Sequence, residues 1–266
     1  MAVVGREGEG PGEYRQPIFG MFGVDDRIWV VDAVLGRISI YSASGEFLRA
    51  LPRPFLNARE LIAVSDTTVL VLGAVPTGES YATATLVSES GRAIWQGIPA
   101  DSVLRATKLI LDGVWGARFP DGTAVVGLAV SPNVARIDIG AGRLLCASRV
   151  PATVWSQLDA AKRPASGLAA TRDWIEQASS IQRAQTTSDG RVVVAITRQT
   201  GEEGKDFEWI VFGGALNPTL RVRGVPGRLL LIRADTAWLA VEAEDGRQQL
   251  VRRVLRLNST GEIPRE

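Results

Sequence analysis

Short apolar runs recur along the chain, and each follows a turn that contains aspartate. The turns are Asp25-Asp26, Asp66-Thr67, Asp121-Gly122, Asp189-Gly190 and Asp235-Thr236. The runs that follow them are 27–31, 68–72, 123–127, 191–195 and 237–241. An aspartate side chain can hydrogen-bond its own backbone and tolerates turn angles. The pattern therefore predicts a hairpin turn in front of each of five short strands.

A second kind of turn lies downstream of each run and pairs a small residue with glycine. It occurs as Ser44-Gly45, Ser90-Gly91, Ala141-Gly142 and Thr260-Gly261. Glycine there supplies the positive φ angle of a tight hairpin. The fourth repeat departs from this pattern, and its turn is expected at Gly213-Gly214 or Asn217-Pro218. Two hairpins per repeat predict four strands, and a spacing of roughly 40–50 residues is typical of β-propeller blades.

The first and last repeats match each other best. Residues 37–47 align with residues 253–263, and Trp29 and Trp238 take the same place in the preceding strand. The sequence therefore predicts an all-β fold, with residues 1–266 forming a single β-propeller domain of four-stranded blades. Five blades are expected, at about 18–51, 57–98, 107–150, 181–224 and 226–263.

Residues 151–180 break the strand pattern. The segments 154–161 and 171–178 carry apolar residues three and four positions apart, which predicts two short helices. Thr153 is suited to cap the first helix and Thr171 the second. We interpret this helical insert as a plug that shields the core. The alternative is a lid or an element on which a partner docks.

The tryptophans divide into two groups by position. Five fall inside predicted strands, where packing between sheets is their expected role: Trp29, Trp95, Trp115, Trp209 and Trp238. The helical insert carries the other two, Trp155 and Trp174. These two are the candidates for an exposed aromatic contact with a ligand.

Charge and composition exclude several classes of function. The 30 basic and 29 acidic residues give a net charge of +1, so the chain lacks the electrostatic signature of a nucleic-acid or membrane-surface protein. Histidine is absent, which removes the commonest general base and transition-metal ligand. The single cysteine, Cys146, cannot form an internal disulfide. No apolar stretch is long enough to span a bilayer and no signal peptide is apparent, so we expect a soluble protein.

The most distinctive string covers residues 5–17 and reads GREGEGPGEYRQP. The strand-like segment 27–32 and the tripeptide at 36–38 follow it. Over residues 5–48 the chain resembles the bacterial six-bladed β-propeller family related to NHL repeats. The resemblance implies that the string is a crossover, ending one blade and leading into the next. It also implies that Asp32 and Arg37 brace the loop between the second and third strands of the first blade.

The number of blades has two interpretations. The family has six, whereas the turns of this chain mark five, and the chain begins almost at the crossover string. In the first interpretation the ring has five blades, and the strand at Val3-Val4 closes it by pairing beside residues 250–257. In the second, an N-terminal blade has been lost, together with an export signal, which would place the protein outside the cytoplasm.

The crossover string is suited to a tight connection. Gly8, Gly10 and Gly12 permit backbone angles that other residues resist, and Pro11 stiffens the middle. The string lacks the lysine of a phosphate-binding loop. Glu13 is expected to brace the crossover by accepting hydrogen bonds from backbone N–H groups.

Ligands of propellers usually bind where crossovers and the loops between second and third strands meet. In this chain those loops carry the acidic residues Asp32, Glu79, Glu202, Glu203, Asp206, Glu242, Glu244 and Asp245. We interpret them as ordinary solvated charge and expect no cofactor, although a Ca²⁺ ion is the alternative. The candidate binding residues are Arg6, Glu7, Glu13, Tyr14, Asp32, Arg37, Glu242, Trp155 and Trp174.

These observations favour a non-catalytic binding module that presents its crossover face to a protein, peptide or glycan. We expect a monomer that does not bind nucleic acid. The alternative is a lactonase-like hydrolase, which would hold Ca²⁺ with channel-mouth carboxylates such as Asp32 and Glu242. A third reading is an incomplete fragment without an autonomous function.

Overall fold

Within each sheet the strands lie in chain order, and each strand is hydrogen-bonded to its neighbours in that order. The computed structural model describes the residues 4–22, 26–52, 58–65, 67–77, 80–99, 114–156, 162, 164–165, 167–200, 204–233, 236–243 and 245–255. They belong to two compact units, one of residues 1–100 with 139–143 and the other of residues 101–138 with 144–266.

The first unit contains a short ribbon and two four-stranded blades. The ribbon consists of β1 (Arg6–Glu7) and β2 (Glu13–Tyr14), which run parallel. Blade 1 consists of β3 (Pro17–Phe22), β4 (Ile28–Asp32), β5 (Arg37–Tyr41) and β6 (Phe47–Pro52). Blade 2 consists of β7 (Ala58–Ala63), β8 (Thr68–Thr77), β9 (Ser80–Ser88) and β10 (Ala93–Pro99).

The second unit contains the strands of three more blades and one helix. Blade 3 consists of β11 (Val114–Arg118), β12 (Thr123–Leu128), β13 (Asn133–Asp138) and β14 (Arg143–Arg149). The helix α1 (Leu168–Glu176) follows it. Blade 4 consists of β15 (Ser180–Thr186), β16 (Val192–Thr200), β17 (Gly204–Phe212) and β18 (Pro218–Val225). Blade 5 shows β19 (Arg228–Arg233), β20 (Thr236–Glu242) and β21 (Gln248–Val254).

The protein is therefore an all-β β-propeller with five blades, as the turn pattern predicted; four of them have four strands, and the described residues of blade 5 form three. The aspartate turns fall between the first and second strands of the blades, and the glycine turns fall between the third and fourth. Asp25, Asp66 and Asp235 themselves lie outside the described residues, as does the turn at Thr260-Gly261 that is expected to lead into the last strand. The closing strand at Val3-Val4 stays a prediction, because Val4 lies outside any strand and Val3 is not described.

Apolar cores form where the face of one blade packs on the face of the next. Blades 1 and 2 share a core around Trp29 and Val71. In the second unit, blades 3 and 4 share a core around Phe212, and blades 4 and 5 share one around Trp209. Successive residues of a strand point to opposite faces, so the alternation read in the sequence supplies a core to each side of a blade.

The turn of the fourth repeat has the same hydrogen bonds as the turn of the first, but a leucine takes the place of the glycine. In blade 1, Gly45 takes a positive φ angle of 91° and donates to the Ser42 carbonyl oxygen. The turn 213–217 has the same hydrogen bonds, but Leu216 occupies the equivalent position with φ 58°. A left-handed non-glycine residue costs about 1–2 kcal/mol. Leu216 is fully buried in the core of blades 3 and 4, and burial of a leucine contributes about 2–3 kcal/mol, which offsets that cost.

The helical insert differs from its prediction. Residues 152–154 form a turn, and residues 155 and 156 are not helical, so Thr153 does not cap a helix that begins at residue 154. Residues 157–161 lie outside the described part of the chain. In α1 the N-cap position belongs to Gly167, and Thr171 lies inside the helix, so its predicted capping role is wrong. The helix begins earlier because Gly167, with φ 100°, makes the change in chain direction.

Across the ranges given above, no helix combines the length and the apolar composition needed to cross a bilayer.

Candidate functional site

The candidate site is the crossover segment 4–16 together with the end of blade 1 on which it lies. Its ribbon is closed by a hydrogen bond from the Gly8 backbone N–H to the Tyr14 carbonyl oxygen, at 2.9 Å, besides the pairing of β1 with β2. Gly8 has φ 152°, and a Cβ there would overlap the Glu13 carboxylate. Glycine is therefore required at this position for both backbone angle and space.

Asp32 ends β4 and holds two separate pieces of backbone. One carboxylate oxygen accepts from the N–H groups of Arg15 and Gln16 at 2.7 and 3.1 Å. The other accepts from Val34 and Leu35 at 2.9 and 2.8 Å. Burial by itself raises the pKa of the Asp32 carboxyl, but the four N–H donors outweigh it and hold that pKa below its ordinary value. The side chain is fully buried, so its charge is compensated by backbone dipoles.

Arg37 begins β5 and binds the crossover through backbone carbonyl oxygens. Its guanidinium donates to the carbonyl oxygens of Glu9, Gly10 and Glu13, at 3.1, 2.5 and 2.9 Å. The planar group presents several donors in a fixed geometry, which allows one side chain to hold three carbonyls. Asp32 and Arg37 thus have complementary roles. Asp32 accepts hydrogen bonds from backbone N–H groups, and Arg37 donates hydrogen bonds to backbone carbonyl oxygens.

Glu13 braces the crossover from within. Its carboxylate accepts from the Gly10 N–H at 2.7 Å and from the Arg6 guanidinium at 2.8 Å. The Gly10 hydrogen bond, followed by the Arg6 contact, lowers the pKa of Glu13. The predicted bracing roles of Asp32 and Glu13 are confirmed, because Asp32 accepts from Val34 and Leu35 and Glu13 accepts from Gly10. The three hydrogen bonds of Arg37 hold the crossover, whereas the prediction placed its brace on the loop before β5.

Tyr14 anchors the ribbon by packing. Its ring lies 5.8 Å from that of Tyr41, and Tyr41 lies 5.8 Å from Phe47. Burial, and then the neighbouring Tyr41 hydroxyl, raise the pKa of Tyr14. Tyr14 is 9% exposed, so it serves as an internal anchor and offers little surface to a ligand.

The solvent side of the crossover carries charge of both signs. The Arg6 side chain is 82% exposed although it contacts Glu13, and Glu7 is exposed beside it. Glu9 and Arg15 form an exposed ion pair with an N–O distance of 2.7 Å. These four side chains form the outer surface of the segment, which we call the crossover surface.

The structure brings together the six candidate residues of the first unit: Arg6, Glu7, Glu13, Tyr14, Asp32 and Arg37. Glu242 lies in the second unit, at the exposed end of β20, where it pairs in register with Gln248.

The expectation that Trp155 and Trp174 are exposed is wrong. They are 9% and 4% exposed. Trp155 belongs to the core of blades 3 and 4, and Trp174 lies on α1. The Ser156 N–H donates to the Ser179 hydroxyl at 2.8 Å, and the Ser179 N–H donates back to the Ser156 carbonyl oxygen at 2.9 Å. The insert is therefore tied down on the core, as a plug would be, and its aromatic rings are used for packing.

The acidic loops are only partly described, because Glu79, Glu202, Glu203 and Glu244 lie outside the described residues. Asp206 lies within β17 opposite Arg198, so the prediction that it belongs to a loop is wrong; the strand pairing extends to Gly204. In the part of the chain that the structure describes, no three acidic or sulfur-bearing side chains gather closely enough to hold a metal ion. The calcium alternative stays a prediction.

Sequence reasoning missed two charged features. The ion pair of Glu9 with Arg15 could have been found from the opposite charges within one short string. The second feature is Glu208, which is 6% exposed in β17 and accepts from Nε and Nη2 of Arg221, at 2.9 and 2.8 Å. The sequence shows Glu208 only as a glutamate next to the apolar run that begins at Trp209. This position does not indicate that its partner lies on the next strand.

Comparisons with known proteins support the fold. No family model matches the chain, and no curated protein matches it in sequence. A solved structure of a DUF4221 family member from Bacteroides vulgatus is similar, with a TM-score of 0.63, 8% identity, and coverage of 95% of this chain and 82% of that one. A protein from Bacteroides fragilis that is described as exported is similar with a TM-score of 0.60, 12% identity, and coverage of 90% and 70%. At such identities the likeness concerns the β-propeller fold alone.

Proposed function

We propose that the protein is a non-catalytic binding module whose crossover surface contacts a protein or peptide partner, with a glycan as the alternative ligand. One observation carries this proposal: the charged side chains best placed for chemistry are already committed to the backbone. Asp32 is shared by four N–H groups and Arg37 by three carbonyl oxygens. Groups used in this way keep a surface rigid and are poorly available to a substrate.

A rigid charged surface favours specific binding. Ordering a flexible loop on binding costs about 0.5–1.5 kcal/mol for each immobilised side chain. The crossover backbone is held in advance by Asp32, Arg37 and Glu13, so a partner that contacts Arg6, Glu7, Glu9 or Arg15 avoids the further cost of ordering the backbone. Charges of alternating sign over a short distance provide selectivity among partners.

The lactonase-like alternative receives less support from the geometry. It relied on Asp32 as a calcium ligand, and calcium takes six to eight oxygen ligands in its shell. Each Asp32 oxygen instead accepts two backbone N–H groups, and the side chain is fully buried. Ligation by Asp32 would require this bracing to be dismantled.

The test is a matched pair of charge reversals in blade 1. Glu7→Lys changes the crossover surface, and Glu46→Lys makes the same charge change in the exposed turn between β5 and β6. A partner isolated with the wild-type protein and then purified should bind Glu7→Lys about tenfold more weakly, and Glu46→Lys with unchanged affinity. Equal affinities for the two variants would remove the crossover surface from the proposal.

A parallel assay addresses catalysis directly. Purified protein would be supplied with Ca²⁺ and a panel of lactones and esters. We expect no turnover above that of the Asp32→Asn variant. Turnover by the wild-type protein that this variant lacks would contradict a purely binding role.

Two finer proposals accompany this one. The segment 5–48 supports a relation to the six-bladed family related to NHL repeats. The similarity to a protein described as exported supports a site of action outside the cytoplasm. Fractionation of the source cells, with immunodetection of the protein, tests the second proposal, and a cytoplasmic location would contradict it.

A further inference from the structure

Blade 5 has two faces of opposite character. One face contributes Leu229, Ala237 and Leu239 to the core shared with blade 4. The side chains between these positions point the other way, and we call that side the open face. It exposes 44% of Leu231, 65% of Leu250 and 53% of Val254.

The apolar residues of the open face are neighbours across the sheet. Leu231 pairs in register with Trp238, which is half-buried. Ala240 pairs with Leu250 in the adjacent row, and Thr236 pairs with Val254 on the other side. Directly opposed residues of antiparallel strands have Cβ atoms about 4.5–5.5 Å apart, so these pairs form three neighbouring rows on one face, each with an exposed apolar side chain. Continuous exposed apolar patches mark interaction sites more often than isolated exposed residues do.

Three arginines lie among these apolar residues. Arg228 is in the row of Ala240, Arg252 is opposite Trp238, and Arg233 is opposite Thr236. All three are exposed. One carboxylate, that of Glu242, is on the same face, at the end of β20. The open face therefore combines an apolar centre with an excess of positive charge.

We propose that the open face of blade 5 docks a β-sheet of another protein, one whose facing side alternates apolar residues with carboxylates. The mode of contact follows from the rest of the molecule, in which each described core joins the face of one sheet to the face of another. The carboxylates follow from charge complementarity, because the arginines would otherwise be desolvated without partners.

The charge distribution also disfavours two other occupants. A second copy packed through the same face would bring six arginines together, and like charges in contact oppose association. A flexible polyanion would pair with the arginines, but it would leave Leu231, Leu250 and Val254 in water. An acidic amphipathic sheet satisfies both features.

The experiment uses the full chain and two cyclic β-hairpin peptides as probes. Both peptides carry the same apolar residues on one face, and the interspersed charged positions are Glu in one and Lys in the other. The Glu hairpin should bind at least about tenfold more tightly than the Lys hairpin. Replacement of the three arginines by glutamate (R228E, R233E and R252E together) should reverse this preference.

Two further variants separate the contributions of charge and apolar contact. The double variant L250S and V254S should weaken the Glu hairpin about tenfold. The matched control carries the same charge change at three exposed arginines elsewhere (R92E, R149E and R223E), and it should keep the wild-type preference. These positions are exposed, so the variants are expected to fold, and circular dichroism checks this.

Three outcomes would overturn the proposal. Equal binding of the two hairpins would remove the role of charge. Equal binding of an acidic peptide without apolar residues would indicate a simple polyanion site. Dimerisation of the wild-type chain in sedimentation velocity, abolished by L250S and V254S, would assign the face to a second copy. None of these outcomes depends on the crossover surface, so this proposal and the proposed function can fail separately.

Discussion

One face of blade 1 is covered by the crossover segment, whereas one face of blade 5 is exposed to solvent. In blade 1, Tyr14 of the crossover segment packs on Tyr41, which in turn contacts Phe47, and Tyr41 is 1% exposed. In blade 5, Leu250 is 65% exposed on the open face. Both blades bury their other face in an apolar core shared with a neighbouring blade.

The difference shows how a segment with few apolar residues can be held on the face of a blade. The crossover segment offers little besides Tyr14 for burial, so hydrophobic contact alone would hold it weakly. Asp32 and Arg37 supply the attachment instead, through hydrogen bonds to five backbone groups of the segment. The open face of blade 5 combines apolar residues with three arginines and one carboxylate, which suits a partner that brings its own carboxylates.

The largest effect is expected from the removal of the Asp32 carboxylate. Asp32→Ala leaves four backbone N–H groups without their acceptor and should lower the free energy of unfolding by about 4 kcal/mol. Urea unfolding followed by tryptophan fluorescence measures this loss. Asp32→Asn, which keeps one acceptor oxygen, should lose about half as much and serves if the alanine variant does not fold.

The control for this experiment is in blade 5. Asp245 contacts Arg247 in an exposed turn, and Asp245→Ala should leave the free energy of unfolding nearly unchanged. Similar losses in the two alanine variants would mean that Asp32 does not act as a buried brace.

A smaller effect is expected from a pair of leucines in blade 5. Leu239 is 1% exposed on the core face, and Leu239→Ala should cost about 3 kcal/mol. Leu250→Ala removes the same atoms from the open face and should cost less than about 0.5 kcal/mol. Thermal and urea unfolding compare the two. A large loss for Leu250→Ala would show that this face is covered within the isolated chain, and the comparison with blade 1 would fail.

The smallest effect concerns the carboxyl groups in acid. The Asp32 pKa is lowered although burial opposes this, because buried N–H groups donate to the carboxylate. The Asp245 pKa is lowered by the exposed Arg247 guanidinium and then by its N–H. In 1 M NaCl the Debye length is about 3 Å, so the Asp245 pKa should move toward its ordinary value while the Asp32 pKa stays low. Carbon-detected NMR titration of the two carboxyl groups measures both.

The same shift sets the direction of the stability change with pH. A carboxyl whose pKa is lowered on folding stabilises the folded state fully above its unfolded pKa of about 3.9. That contribution is lost as the pH falls through the lower folded value. The free energy of unfolding should therefore decline below about pH 4, and less steeply in Asp32→Asn. An unchanged slope in this variant would contradict the assignment.

The fold could be predicted from sequence because its signals are local. Each turn needs an aspartate or a glycine within a few residues, and each strand needs alternation over about five residues. The bracing by Asp32 could be predicted for the same reason, since Asp32 and Arg37 flank one short loop and the resemblance covers that segment.

What could not be predicted depends on packing between distant segments. The burial of Trp155 is decided by a core that includes Phe212, which is far away in the sequence. The open face of blade 5 has the same alternation as the covered faces, and its exposure depends on what lies opposite, which a single strand does not encode. The salt bridge of Glu208 with Arg221 likewise joins two strands across a turn.

Leu216 makes one turn a reporter of the contact between blades 3 and 4. Its left-handed backbone is unfavourable for leucine and persists because the side chain is held in the core of these blades. If that core loosens, nothing retains the backbone angle, and the turn relaxes before the strands separate. The amide resonances of residues 213–217 should therefore change early when the packing between blades 3 and 4 loosens.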